Sequence, residues 1–242
     1  MKQMIRNSLI LGAIGVFAGF IAIVMQIPNL PEDIVNQITE ELGRIEILYV
    51  VGAVQVGVLT IVLSLIGQLL LPKTGFVLHS EWTKKSIGLA VLFGAVSAAC
   101  IVAFDSLVFY DVMKEINAEY QFSISYFIAG ILYGGIIEEV IMRLFLLTVI
   151  VYFLNMITKK KQQSHIYIAI IVTSILFGLG HLPAMQLLTP LTPIIITRTV
   201  LINMIPALLF GYLYTKKGLS YSMIAHIVTH IVLQLILAPI FL

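Results

Sequence analysis

Seven apolar runs, each about long enough to cross a bilayer, decide what this chain can fold into. They are Ser8–Ile27, Ile45–Leu71, Ile87–Phe109, Ser123–Ile157, His165–Pro183, Pro193–Tyr214 and Leu219–Leu242. About 20 consecutive apolar residues span the hydrocarbon core. Inside that core each backbone polar group must be satisfied by the protein, which restricts spanning segments to helices and closed barrels. Runs this long and this apolar are helices, so the expected fold is all-α: a polytopic membrane helix bundle of about seven transmembrane helices, forming one integral domain over 1–242. The chain is 60% hydrophobic and 11% charged. A soluble domain is about half apolar and a quarter charged, so a soluble enzyme is excluded and no nucleic-acid partner is expected.

Charge distribution orients the bundle. Lys2 and Arg6 precede the first run; Lys73, Lys84 and Lys85 follow the second; Lys159, Lys160 and Lys161 follow the fourth; Lys216 and Lys217 follow the sixth. The alternate connections are acidic: Glu32, Asp33, Glu40, Glu41 and Glu46 in the first, Asp111, Glu115 and Glu119 in the third. Every basic cluster thus falls on one side, which the positive-inside rule makes cytoplasmic, together with the N-terminus. The first run lacks a small-x-small cleavage site and reads as an uncleaved helix rather than a signal peptide. In the first connection Ile34, Ile38 and Leu42 recur at helical spacing, so Pro28–Gly43 is either a short surface helix or a polar loop. Cys100 is the single cysteine and reads as a packing residue.

The fourth run carries the chain's most expensive residues, Glu138-Glu139-Val140-Ile141-Met142-Arg143. A charged side chain near the bilayer centre costs a few kcal/mol, faces the bundle interior and marks a functional site by default. Successive residues of an α-helix point about 100° apart, and Arg143 follows Glu139 at i+4, a pairing distance. Arg143 is therefore expected to pair with Glu139, leaving Glu138 as the freer carboxylate, a candidate general base or acid. A buried structural ion pair is the competing reading of this motif alone. Gly134-Gly135 just before it marks close packing or a local bend.

Two later runs supply partners. Phe177 and His181 share a face of the fifth helix, and His226 and His230 share a face of the seventh at i,i+4, a ligand or catalytic spacing. At a rise of 1.5 Å per residue, Glu138 lies roughly 20–25 Å from the cytoplasmic ends, His181 at about 24 Å, and His226 and His230 at about 13–19 Å. Three helices thus bring ionisable groups to one level. Asp105, Arg198, His79 and His165 are expected at the membrane interface, reached by snorkelling where needed, and Pro206 is expected to kink the sixth helix.

In order on successive helices, Glu138-Glu139-x-x-x-Arg143, Phe177-x-x-x-His181 and His226-x-x-x-His230 resemble the CPBP family of membrane proteins, relatives of the type II CAAX prenyl endopeptidases also called the Abi family, which includes bacteriocin self-immunity proteins. The stretch Phe210 to Leu219 leading into Ser222-Met223-Ile224-Ala225-His226 is similar as well. The resemblance covers about 123–234, read as the protease core. It departs at His230, where the family usually has asparagine or aspartate. The resemblance implies an intramembrane peptidase in which Glu138 activates water with His181, Glu139 and Arg143 fix the helix, and His226 and His230 stabilise the oxyanion. The alternative site chemistry is Zn²⁺ held by Glu138, His181, His226 and His230. The implied substrate is a membrane-associated or lipophilic peptide, and the compact chain with its lysine clusters points to a bacterial plasma membrane. Two other classes share these residues: a non-catalytic immunity or peptide-binding membrane protein, and a small proton or metal transporter, against which the absence of a sequence repeat weighs.

Overall fold

The structure, a computed structural model, describes residues 1–118 and 122–241, with the side chains of 115–118 left out. Glu119 and Leu242 lie outside the described residues. Seven described helices are long and apolar enough to cross a membrane: α1 (Lys2–Asn29), α3 (Ile47–Thr74), α4 (Lys84–Val108), α6 (Ile124–Thr158), α7 (Gln163–Gln186), α8 (Pro193–Lys217) and α9 (Leu219–Phe241). Two short helices complete the set, α2 (Glu32–Leu42) and α5 (Tyr110–Ala118). The chain is a multi-pass membrane bundle, and its seven spans coincide with the seven apolar runs to within a few residues. Of the two readings of the first connection, the helix is the one that forms. It opens on Glu32 and Asp33, where acidic groups suit the helix N-terminus, and ends on Gly43 at φ 78°.

The core is built where small residues let helices meet. α1 packs along α3 and both lie against α6, while α9 packs on α4, α6 and α8. One end of the bundle gathers lysines: Lys73 sits over the Tyr152 ring, and the loop after α3 binds the α8–α9 turn through Ser80 N–H to Lys217 C=O and Ser220 N–H to Leu78 C=O.

α6 is where the architecture departs from regularity. Its middle is π-helical, over Gly130–Glu138 and Val140–Leu147, with α-helical ends. A straight α-helix of 35 residues would be about 52 Å long against a hydrocarbon core of about 30 Å. The i→i+5 bonds of a π-helix use more residues per turn, which shortens the span.

Two sequence expectations are corrected. Asp105 and Arg198 do not snorkel outward; they are 2% and 11% exposed and form a two-point ion pair between α4 and α8, with Arg198 Nε donating to Asp105 Oδ1 at 2.8 Å and Nη2 facing Oδ2. Pairing across the two helices outcompetes snorkelling, because each charge supplies the partner that the other needs. His165 is buried, with its Nδ1 2.8 Å from Asn155 Oδ1. Asn155, ten residues earlier on α6, offers the ring a polar partner inside the bundle. Pro206 sits inside the helix Pro193–Lys217, and His79 is exposed.

Candidate active site

Glu139 lies at the junction of the two π-helical stretches of α6 and is fully buried. Three donors converge on it. Ser222 Oγ donates to Oε2 at 2.6 Å, His226 Nδ1 faces Oε1 at 2.9 Å, and Arg143 Nη1 is 3.1 Å from Oε1. The arginine contact is ionic rather than a straight hydrogen bond, since Nη1 has no aligned acceptor. Its Nη2 donates to the Ala207 carbonyl at 3.2 Å. The guanidinium carbon lies 5.1 Å from the Phe177 ring centroid and 5.6 Å from that of Phe210, within cation–π range. Glu139 and Arg143 are thus locked in place, as buried ions must be.

Glu138 is different. Its side chain is 20% exposed, and it faces two imidazoles at longer range: His181 Nε2 at 4.0 Å from Oε1 and His226 Nε2 at 3.9 Å from Oε2. A carboxylate that can be approached, next to one that cannot, divides the pair by environment.

The histidines are oriented by local structure. α7 breaks at His181 because Pro183 has no N–H to offer the Leu179 carbonyl. The His181 N–H turns to the Gly178 carbonyl at 3.2 Å. The Phe177 carbonyl, relieved of its usual i+4 donor, takes His181 Nδ1 at 2.8 Å. A carbonyl only accepts, so Nδ1 carries a proton, and in the neutral ring the Nε2 that points at Glu138 is bare. His226 follows the same logic, with Nδ1–H committed to Glu139 and Nε2 toward Glu138. Its ring stacks on Phe210 at 4.7 Å and on His230 at 5.2 Å between centroids. His230 stands one turn further along α9, with Nδ1 3.1 Å from Gln234 Nε2.

Gly134 makes this possible. A Cβ there would lie 2.6 Å from His230 Nε2 and 3.5 Å from His226 Nε2, so only glycine lets α6 meet both rings. All six candidate residues named from the sequence therefore share one cluster: Glu138, Glu139, Arg143, His181, His226 and His230. Ser222, Phe210, Gly134 and Gln234 belong to it as well; the sequence marks Gly134 as a close-packing position and Phe210 and Ser222 as part of the resembling stretch, whereas Gln234 carries no signal of its own.

The donor set suits zinc by element, but its spacing does not. Ligands sharing one tetrahedral Zn²⁺ at about 2.05 Å lie about 3.3 Å apart, whereas Glu138 is 3.9–4.0 Å from its two histidine nitrogens. Among the described residues no group of three or more His, Cys, Asp or Glu side chains is gathered tightly enough to hold a metal ion.

A helix bundle that crosses the membrane seven times and converges an accessible glutamate, a locked glutamate–arginine pair and three histidines within its spans defines a class: integral membrane proteins with a polar site built inside the bundle. Residues 120–232 match the family described as Type II CAAX prenyl endopeptidase, Rce1-like. Over that stretch, somewhat under half of its length, the chain is similar to this family of CAAX-type proteases. No curated protein and no solved structure matches the chain.

Proposed function

We propose that this protein is an endopeptidase of the bacterial plasma membrane that hydrolyses a peptide bond in a membrane-associated or lipophilic peptide. The observation that carries this reading is the gap between Glu138 and the bare Nε2 of His181, 4.0 Å. Two acceptors at that separation suit one water donating to both, since two ~2.8 Å hydrogen bonds at a water's angle span about 4.4 Å. Glu138 then removes a proton as that water attacks the peptide carbonyl, and His181 keeps the water oriented.

The oxyanion formed needs donors. His226 has Nδ1–H committed to Glu139 and donates from Nε2 when the ring carries a second proton. His230 adds a second N–H from the same helix face. Glu139, Ser222, Arg143 and Phe210 hold His226 in that position. Glu138 returns its proton to the departing amine, so no net proton is consumed. The spacing of these residues supports a bridging water over a shared zinc ion, and the steps above use no metal.

The test compares neo-N-termini in membranes of cells expressing the wild-type chain or Glu138→Gln at matched levels. New peptide ends found only with the wild type support proteolysis and name substrates. Identical peptide ends, with both proteins folded, would turn the reading to peptide binding or ion transport. Undiminished activity of wild-type protein after exhaustive chelation is expected; its loss and recovery on adding Zn²⁺ would favour the metal chemistry.

A further inference from the structure

We infer that Gln234 is a positioning residue that holds His230 as an Nε2–H donor aimed at the oxyanion; the inference rests on the peptidase reading above. A neutral imidazole has one donor and one acceptor, and the partner of one nitrogen decides the role of the other. Gln234 Nε2 lies 3.1 Å from His230 Nδ1. An amide NH₂ only donates, so Nδ1 accepts and the ring's hydrogen sits on Nε2. No described residue is hydrogen-bonded to that Nε2. It faces the space left by Gly134, into which His226 Nε2 also opens. The two rings are nearly parallel, 13° between planes, so their Nε2 atoms address the same region.

Two histidines of one site are thus set to opposite tautomers by local partners. The Phe177 carbonyl at i−4 forces His181 to keep a bare Nε2 facing Glu138, while the Gln234 amide at i+4 gives His230 a protonated Nε2. One ring accepts from water and the other donates to developing charge. Gln234 achieves this from the start of a π-helical turn, Leu233–Leu237, that follows the α-helical part of α9. The opposite amide orientation would place a carbonyl on Nδ1–H and leave His230 Nε2 bare, unable to donate, so the tautomer itself is the decisive observable.

The experiment is nitrogen NMR of the full chain in detergent micelles with ¹⁵N-labelled histidine, the His230 signals being assigned by their loss in His230→Asn. The wild type is expected to show His230 protonated at Nε2. In Gln234→Glu the introduced carboxylate accepts from Nδ1–H, and the tautomer is expected to move to Nδ1–H. With a fluorogenic peptide built on a cleavage site found above, this variant is expected to lose about tenfold or more in kcat with KM held within about twofold, as for a missing transition-state donor. Gln234→Leu, which removes the donor without adding an acceptor, is expected to fall in between. In a His230→Asn background, where the donor has no tautomer to set, Gln234→Glu is expected to cost less than about threefold. A wild-type His230 protonated at Nδ1 overturns the inference, as does an unchanged kcat in folded Gln234→Glu. The tautomer reads out whether or not the wild type cleaves the peptide, so failure of the peptidase reading is told apart from failure of this one.

Discussion

Glu138 and Glu139 are chemically identical neighbours given opposite tasks by their surroundings, and their substitutions are expected to separate accordingly. Glu139 is fully buried with Arg143, Ser222 and His226 on it. Glu139→Gln leaves the Arg143 charge without its anion, and removing one partner of a buried pair destabilises by about 3–5 kcal/mol. Unfolding in detergent should show this as a clear loss of stability. Glu138→Gln has no such partner to strand, so its melting should stay close to wild type while cleavage is abolished; a large stability loss there would mean that Glu138 is structural. Gly134→Ala probes the same geometry from the other side. Its new Cβ would press on His230 at 2.6 Å, and a displacement of this kind costs about 100-fold in rate when it misplaces catalytic groups. Single-turnover kinetics should show the loss with the fold intact.

Between helices, the buried pair of Asp105 on α4 and Arg198 on α8 ties together two elements that carry no candidate catalytic side chain. Arg198 Nη1 also lies 3.9 Å from Met185 Sδ, four residues after His181, so the latch steadies the broken end of α7. Arg198→Met is expected to cost about 3–5 kcal/mol by stranding Asp105, whereas Asp105→Leu with Arg198→Met should recover most of it, because an apolar pair of similar volume replaces a buried ion pair at little cost. Denaturant titration of the three proteins decides; equal losses in single and double variants would mean that the charges do not act as a pair. This pair also shows what a sequence withholds. The spans were legible because length and hydropathy are properties of one segment, and the pairing of Arg143 with Glu139 because i+4 contacts lie within one helix. Asp105 and Arg198 are 93 residues apart, and nothing local says that they meet. The π-helical middle of α6 was hidden for a related reason: Gly134-Gly135 announces close packing, but only contact with the rings of α9 determines the form it takes. His181 was legible as a site residue, whereas its tautomer came from the helix break.

For the whole bundle, the 120–232 stretch that matches the family does not stand alone. α3 lies outside it, yet a Cβ on its Gly67 would sit 2.4 Å from the Leu144 carbonyl of α6, one residue from Arg143. The N-terminal helices therefore form the wall against which the π-helical segment is held. Leucine at Gly67 would force two backbones apart, where volume added to a packed core costs about 1–3 kcal/mol and shifts the backbone. Gly67→Leu is expected to lower both the melting temperature and the cleavage rate, although the residue touches no candidate catalytic group. Leucine at Gly88, where an added Cβ meets nothing within 4 Å, is the control and should leave both unchanged. If Gly67→Leu matched that control, α1 and α3 would be passive anchors and the site would be held by α6 to α9 unaided. Equal loss in the two would point to membrane insertion rather than packing as the sensitive step.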